Sequence, residues 1–192
     1  MAKTYESIDE SLTAWIAHQP MFFVATAPLA ADGHVNCSPK GGDTLRVLGP
    51  REIAYLDGMG SGIETIAHVR ENGRIVVMLC AFDRSPRIVR LHGRGTVVDA
   101  THADFPMLFA RFPPRPTARA IVRIAVERIA DSCGYGVPLM DFRAHRDDTE
   151  KYMKKVSDRA LVGYLHDHNE ASIDGLPGLD PPAIDRLVIR RE

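Results

Sequence analysis

The chain has 192 residues, 45% hydrophobic and 26% charged, with a formal net charge of −1. That length suffices for one domain with a proper core, or one domain plus an extension, and the near-neutral balance argues against a protein devoted to neutralising nucleic-acid phosphates. Cys37, Cys80 and Cys133 are far apart and form no CxxC pair, which speaks against a disulfide framework or a zinc ribbon. The opening residues mix acids with apolar positions and do not read as a secretory signal. No run of about 18 apolar residues occurs, so a soluble, cytoplasmic protein is expected.

Residues 7–17 place Ile8, Leu12, Trp15 and Ile16 at helical spacing. Ser7 with Glu10 fits a capping box at its start, and Pro20 ends it. Residues 21–26 read as a buried strand, 30–33 as an Asp-Gly turn and 34–38 as the returning strand. A turn at 48–51 leads into a strand over 53–57. Ile63, Ile66, Ala67 and Arg70 then lie along a helix that stops at Asn72-Gly73. Residues 74–80 form an apolar run of strand length, and 87–98 read as a long strand broken by Gly93 and Gly95, which mark a bulge or close approach. A short helix is expected over 101–112, capped by Thr101 and ended by prolines. Residues 120–129 are open to helix or strand, and the alternation of Val122, Ile124 and Val126 with Arg123, Ala125 and Glu127 favours a strand. Residues 150–166 predict a surface-charged helix, and 172–179 a tail that cannot continue it. Closely spaced strands with brief helical insertions indicate an antiparallel barrel of mainly-β or α+β class. A Rossmann fold is excluded, because no G-x-G-x-x-G follows the first strand.

The most telling local feature is Gly60-Ser61-Gly62, a turn between a strand and a helix. A helix start exposes backbone N–H groups and the positive end of the dipole, a ready seat for phosphate. A second polar turn, Ser38-Pro39-Lys40-Gly41, lies at another strand end. Together they point to a phosphorylated cofactor that carries the chemistry. Lys40 is either a phosphate or ring contact or a solvated turn lysine, and Ser61 either a cap or a ligand. Thr65 could reach a phosphate oxygen or simply pack, and Asp57 and Glu64 are candidate caps. Arg87 and Arg90, three apart on a strand, face opposite sides. His166, Asp167 and His168 lack the spacing for a shared helical face, and no metal site is expected. No acid–base dyad stands out, so no catalytic residue is nominated.

The order of these elements resembles the pyridoxamine 5′-phosphate oxidase-like split-barrel flavoproteins over roughly residues 22–98. The stretches Val35-Asn36-Cys37-Ser38-Pro39-Lys40-Gly41 and Asn72-Gly73-Arg74-Ile75 fit best. The resemblance implies a six-stranded antiparallel split barrel, a homodimer, and FMN bound at the dimer interface beside a small-molecule substrate. By position it implies cofactor contacts from Ser38, Lys40, Tyr55, Leu56, Asp57, Ser61, Gly62 and Thr65, with Arg87 contributed by the partner subunit. The expected organisation is a barrel domain over 1–142, with its core at 21–130, followed by a helical extension and tail over 143–192. Gly62 and Ile63 stand where the vitamin oxidases carry an Arg-Lys pair after the serine, and Ser38-Pro39-Lys40 replaces an Arg-rich strand. Their C-terminal Trp and Arg have no equivalents either, since Trp15 is the only tryptophan. Oxidation of the vitamin is therefore not expected. The expected function is an FMN-dependent oxidoreductase of unknown substrate. The alternatives on the same fold are a non-catalytic flavin or haem carrier, and a reductase using a deazaflavin coenzyme.

Overall fold

The computed structural model describes residues 3–189. In chain order the elements are β1 (Thr4–Tyr5), α1 (Glu10–His18), β2 (Met21–Thr26), β3 (Asn36–Gly41), β4 (Leu45–Gly49), β5 (Glu52–Gly58) and α2 (Glu64–Asn72). They continue with β6 (Arg74–Cys80), β7 (Ile88–Asp99), α3 (Phe105–Phe109), β8 (Ala118–Ser132), α4 (Asp148–Met153), α5 (Asp158–Asn169) and α6 (Pro181–Ile189). All strand pairings are antiparallel, in the order β3-β2-β6-β7-β8-β5-β4, with β1 added to β8. The class is the expected antiparallel split barrel, but the sheet has eight strands among the described residues rather than six.

The branched runs at β2 and β6 become strands with alternating burial because one face lines the barrel interior. That interior gathers Phe22, Val24, Ile53, Tyr55, Val77, Leu79, Val89, Leu91, Val122 and Ile124, and α1 closes one end with Leu12 and Ile16. A second core packs the C-terminal helices onto α2: Leu161, Leu165, Ile184 and Leu187 meet Ile63 and Ile66. A third packs α3 against Ala54, Leu56 and Ile121 on the outer face of β5 and β8.

Gly93 is required by a close approach. The β7–β8 register shifts between His92 and Gly93, and a side-chain carbon there would lie 2.1 Å from the Ala125 carbonyl oxygen. The bulge foreseen from the glycine is thus a backbone contact.

Local details differ from the sequence reading. Asp9, not Ser7, caps α1, accepting from the Leu12 N–H at 2.7 Å. Thr101 does not cap α3; its hydroxyl donates to Asp99 instead, and Asp104 takes the cap position. The single helix expected over 150–166 is two, because Ser157 caps a new start by accepting from the Ala160 N–H. The 172–179 segment closes on itself through an Ala171–Pro177 bridge and is held to the body before α6 by Arg70, which donates to the Gly178 carbonyl, and by the His34 N–H, which donates to Asp174 at 2.8 Å. Gly73, in the left-handed region at φ 70°, ends α2 as foreseen.

Candidate active site

The site is built where β3, β5 and the start of α2 meet. On β3 the period of two turns Asn36, Ser38 and Lys40 to the half-buried face and leaves Cys37 and Pro39 exposed. On β5 Tyr55 and Asp57 face the same way, while Leu56 points outward into the α3 core. Lys40 Nζ therefore meets Asp57 Oδ1 at 2.7 Å and stands 5.9 Å from the centre of the Tyr55 ring.

Asp57 is fully buried and has a second cation: Arg119 Nε donates to Oδ2 at 2.7 Å. Burial alone would raise the Asp57 carboxyl, but the Arg119 and Lys40 charges hold it below the ordinary value. Arg119 Nη1 then donates to Asn169 Oδ1 at 2.8 Å, and Asn169 Nδ2 donates to the Gly60 carbonyl at 3.0 Å. The chain of contacts ends at the glycine-serine turn. Lys40 and Arg119 against Asp57 leave one net positive charge, and 19% exposure of the Lys40 side chain opens that charge to solvent.

A second network runs alongside. Ser38 donates to Asn36 Oδ1 at 3.0 Å, and Asn36 Nδ2 donates to Thr65 Oγ1 at 2.8 Å and Thr26 Oγ1 at 3.2 Å. The Thr26 hydroxyl meets His68 Nδ1 at 3.0 Å. His68 is buried on α2, and desolvation pushes its imidazole below the ordinary value, toward the neutral form. Two buried polar atoms lack a partner among the described residues, Tyr55 OH and His68 Nε2. The Tyr55 hydroxyl lies beside Thr65, on the first turn of α2, without completing a hydrogen bond.

At the turn itself Ser61 is exposed, and a side-chain carbon added at Gly60 would meet open space. Ile63 holds the cap position of α2 with no side-chain hydrogen bond, so Ser61 is not the cap. Neither is Asp57, which is committed to its two cations. The first N–H groups of the helix have no intrahelical acceptor.

Of the sequence-predicted residues, Lys40 meets Asp57 and Tyr55, Tyr55 lies beside Thr65, and Ser38 is joined to Thr65 through Asn36. The turn of Ser61 and Gly62 is tied to them through the Gly60 carbonyl, by way of Asn169 and Arg119. Leu56 reaches this region with its backbone alone. Arg87 is elsewhere in the chain: it bonds Tyr5 OH at 2.7 Å, pairs with Asp131 at 3.4 Å and stacks 4.9 Å from the Trp15 ring. Sequence reasoning missed Asn36, Arg119 and Asn169. Arg119 left a signal, since an arginine between alanines in a strongly apolar strand requires a buried partner. Asn169 left none.

A cavity of about 1150 Å³ lies apart from these residues, between the C-terminus of α1, the β3–β4 turn and segment 139–145; its lining includes Gln19, Arg46, Phe82, Arg84, Phe142 and His145. Among the described residues no helix is long and apolar enough to cross a membrane.

Comparison with known proteins agrees with this architecture. Residues 8–133 match the family described as pyridoxamine 5′-phosphate oxidase. The chain is 37% identical to the pyridoxamine 5′-phosphate oxidase family protein ustO of Aspergillus flavus, over 95% of this chain and 80% of that one. A putative pyridoxamine 5′-phosphate oxidase from Lactobacillus delbrueckii shares the fold at TM-score 0.53 and 21% identity, covering 66% of this chain and 98% of its own. A HupZ variant from Group A Streptococcus does so at TM-score 0.50 and 23% identity, over 65% and 99%. With residues 8–133 matching the family and 37% identity to one of its members over 95% of the chain, the chain belongs to the pyridoxamine 5′-phosphate oxidase family.

Proposed function

We propose that the chain is a flavin-binding oxidoreductase of this family that takes FMN at the start of α2, works as a homodimer with the cofactor at the interface, and acts on a small molecule in the cytoplasm. The observation that carries this reading is the convergence of an uncapped helix start with the cationic Lys40–Asp57–Arg119 cluster. The donor set suits a phosphate monoester: backbone N–H groups at Gly62 and beyond, the exposed Ser61 hydroxyl, and Lys40, whose ammonium has donors beyond the one given to Asp57. The unpartnered Tyr55 hydroxyl beside Thr65 offers a further polar contact.

When bound, flavin supplies hydride acceptance and return. The chain supplies the rest. Lys40 would hold its positive charge against the phosphate. Asp57 and Arg119 fix the Lys40 side chain, and Asn169 fixes the Gly60 carbonyl, so the turn keeps its shape without a ligand. Ser38 and Asn36 would orient polar edges from β3. Arg87, joined to Tyr5, Asp131 and Trp15 within its own chain, would be contributed to a partner subunit's site. The barrel and the C-terminal helices form one packed unit on this reading, with α5 bracing the turn through Asn169.

The test is reduction of the FMN-loaded protein under anaerobic conditions by reduced nicotinamide. Loss of the visible flavin absorbance followed by its recovery with oxygen supports the oxidoreductase. Flavin that binds and is never reduced by nicotinamide or candidate substrates identifies a carrier instead.

A further inference from the structure

The start of α2 already holds an anion of its own. The Glu64 side chain folds back over the turn, so that a carbon added at Gly62 would lie 2.4 Å from Glu64 Oε2. Its other oxygen accepts from the Ile173 N–H at 3.3 Å, tying the wrapped 170–178 segment to the helix start. A first-turn carboxylate is favourable against the helix dipole, and here it stands over the Gly62 backbone at the end of the helix that anions favour. The buried Tyr55 hydroxyl, which completes no hydrogen bond, lies beside Thr65 on the same first turn.

We infer that Glu64 is an intramolecular competitor for the ligand's phosphate and sets how tightly phosphorylated ligands are held. A phosphate settles at the Ser61-Gly62 turn only when the Glu64 carboxylate swings away, and that movement releases the Ile173 amide. Charge, not shape, is the operative property, because two anions at one helix start repel. This inference rests on the phosphate-seat reading above and adds a specificity-determining residue to it.

The experiment compares the full chain with Glu64→Gln, which keeps an oxygen acceptor for Ile173 and removes the charge. Each protein is titrated with FMN and with riboflavin, and its thermal midpoint is read with and without inorganic phosphate. The expected result is FMN binding tighter on the order of tenfold in the variant, consistent with a like-charge contact near the surface, with riboflavin affinity unchanged. Amide exchange at Ile173 in the wild-type chain should accelerate on saturation with FMN. Unchanged or weaker FMN binding, or an equal gain for both flavins, overturns the inference. If neither protein binds a flavin, the flavin reading fails on its own; phosphate that raises the variant's midpoint more than the wild type's then still supports a competing Glu64, and phosphate acting equally on both overturns it.

Discussion

Replacing Asp57 by Asn removes the single anion between two cations while keeping the side chain's shape. Asp57 is fully buried, the Arg119 side chain is 5% exposed and Lys40 19%. Breaking a buried pair by deleting one partner costs about 3–5 kcal/mol, because a desolvated charge is left unmatched. Partial exposure of Lys40 lets water screen that side, which places the expected loss near the lower end, about 3 kcal/mol. For a chain of this size that corresponds to a fall in melting temperature of roughly 6–12 °C. Urea unfolding at neutral pH gives the free energy, and a thermal scan the midpoint. The pH dependence is a second check. The folded carboxyl titrates below its unfolded value, so its contribution is present above the ordinary aspartate range and is lost as pH falls through the folded value. Wild type and Asp57→Asn should therefore converge in acid. A loss under about 1 kcal/mol at neutral pH, or a difference that persists unchanged in acid, refutes the buried ion-pair argument.

Other expectations follow from single contacts. Asn169→Ala leaves Arg119 Nη1 and the Gly60 carbonyl without their partner; a loss of about 2–4 kcal/mol in urea unfolding is expected, and a loss under 1 kcal/mol contradicts the tether. Gly93→Ala drives a methyl group into the Ala125 carbonyl, so destabilisation of at least about 1–3 kcal/mol is expected, and a neutral outcome contradicts the bulge geometry. Leu165→Ala opens the core between the C-terminal helices and α2, with an expected cost of about 2–5 kcal/mol; if the extension were not packed on the barrel, the barrel's unfolding would not change. The His34–Asp174 pair joins the β2–β3 connection to the tail at 2.6 Å, raising the histidine and lowering the carboxyl through their hydrogen bond. The pair is intact between the unfolded values of the two groups, opens as pH rises through the elevated histidine value, and opens in acid as pH falls through the depressed carboxyl value. Amide exchange at His34, corrected for intrinsic rates, should rise on alkaline titration, and a flat profile argues against the latch.

How much was legible in the sequence depends on whether a signal is local. The runs at 21–26 and 74–80 gave their strands because branched residues facing a barrel interior leave an unambiguous pattern. β4, Leu45–Gly49, escaped notice because all five residues are half-buried and no alternation survives. α6 escaped because Pro181-Pro182 reads as a breaker, although proline is well tolerated at a helix start. Within the site, the turn and Lys40 could be nominated from residue type and position. Asp57 was visible as an acid near a helix start, but its role depends on Arg119, 62 residues away, a distance that no periodicity encodes. Asn169 lies 109 residues from Gly60 and is brought there by the core that α5 shares with Ile63 and Ile66 at the start of α2.

A phosphate seat at the α2 start is what every functional step above requires, and calorimetric titration of the full chain with FMN and with riboflavin addresses it most directly. FMN should bind more tightly on the order of tenfold, about 1.4 kcal/mol, and Lys40→Met should remove most of that preference. Equal affinity for the two flavins, or no binding of either, contradicts it.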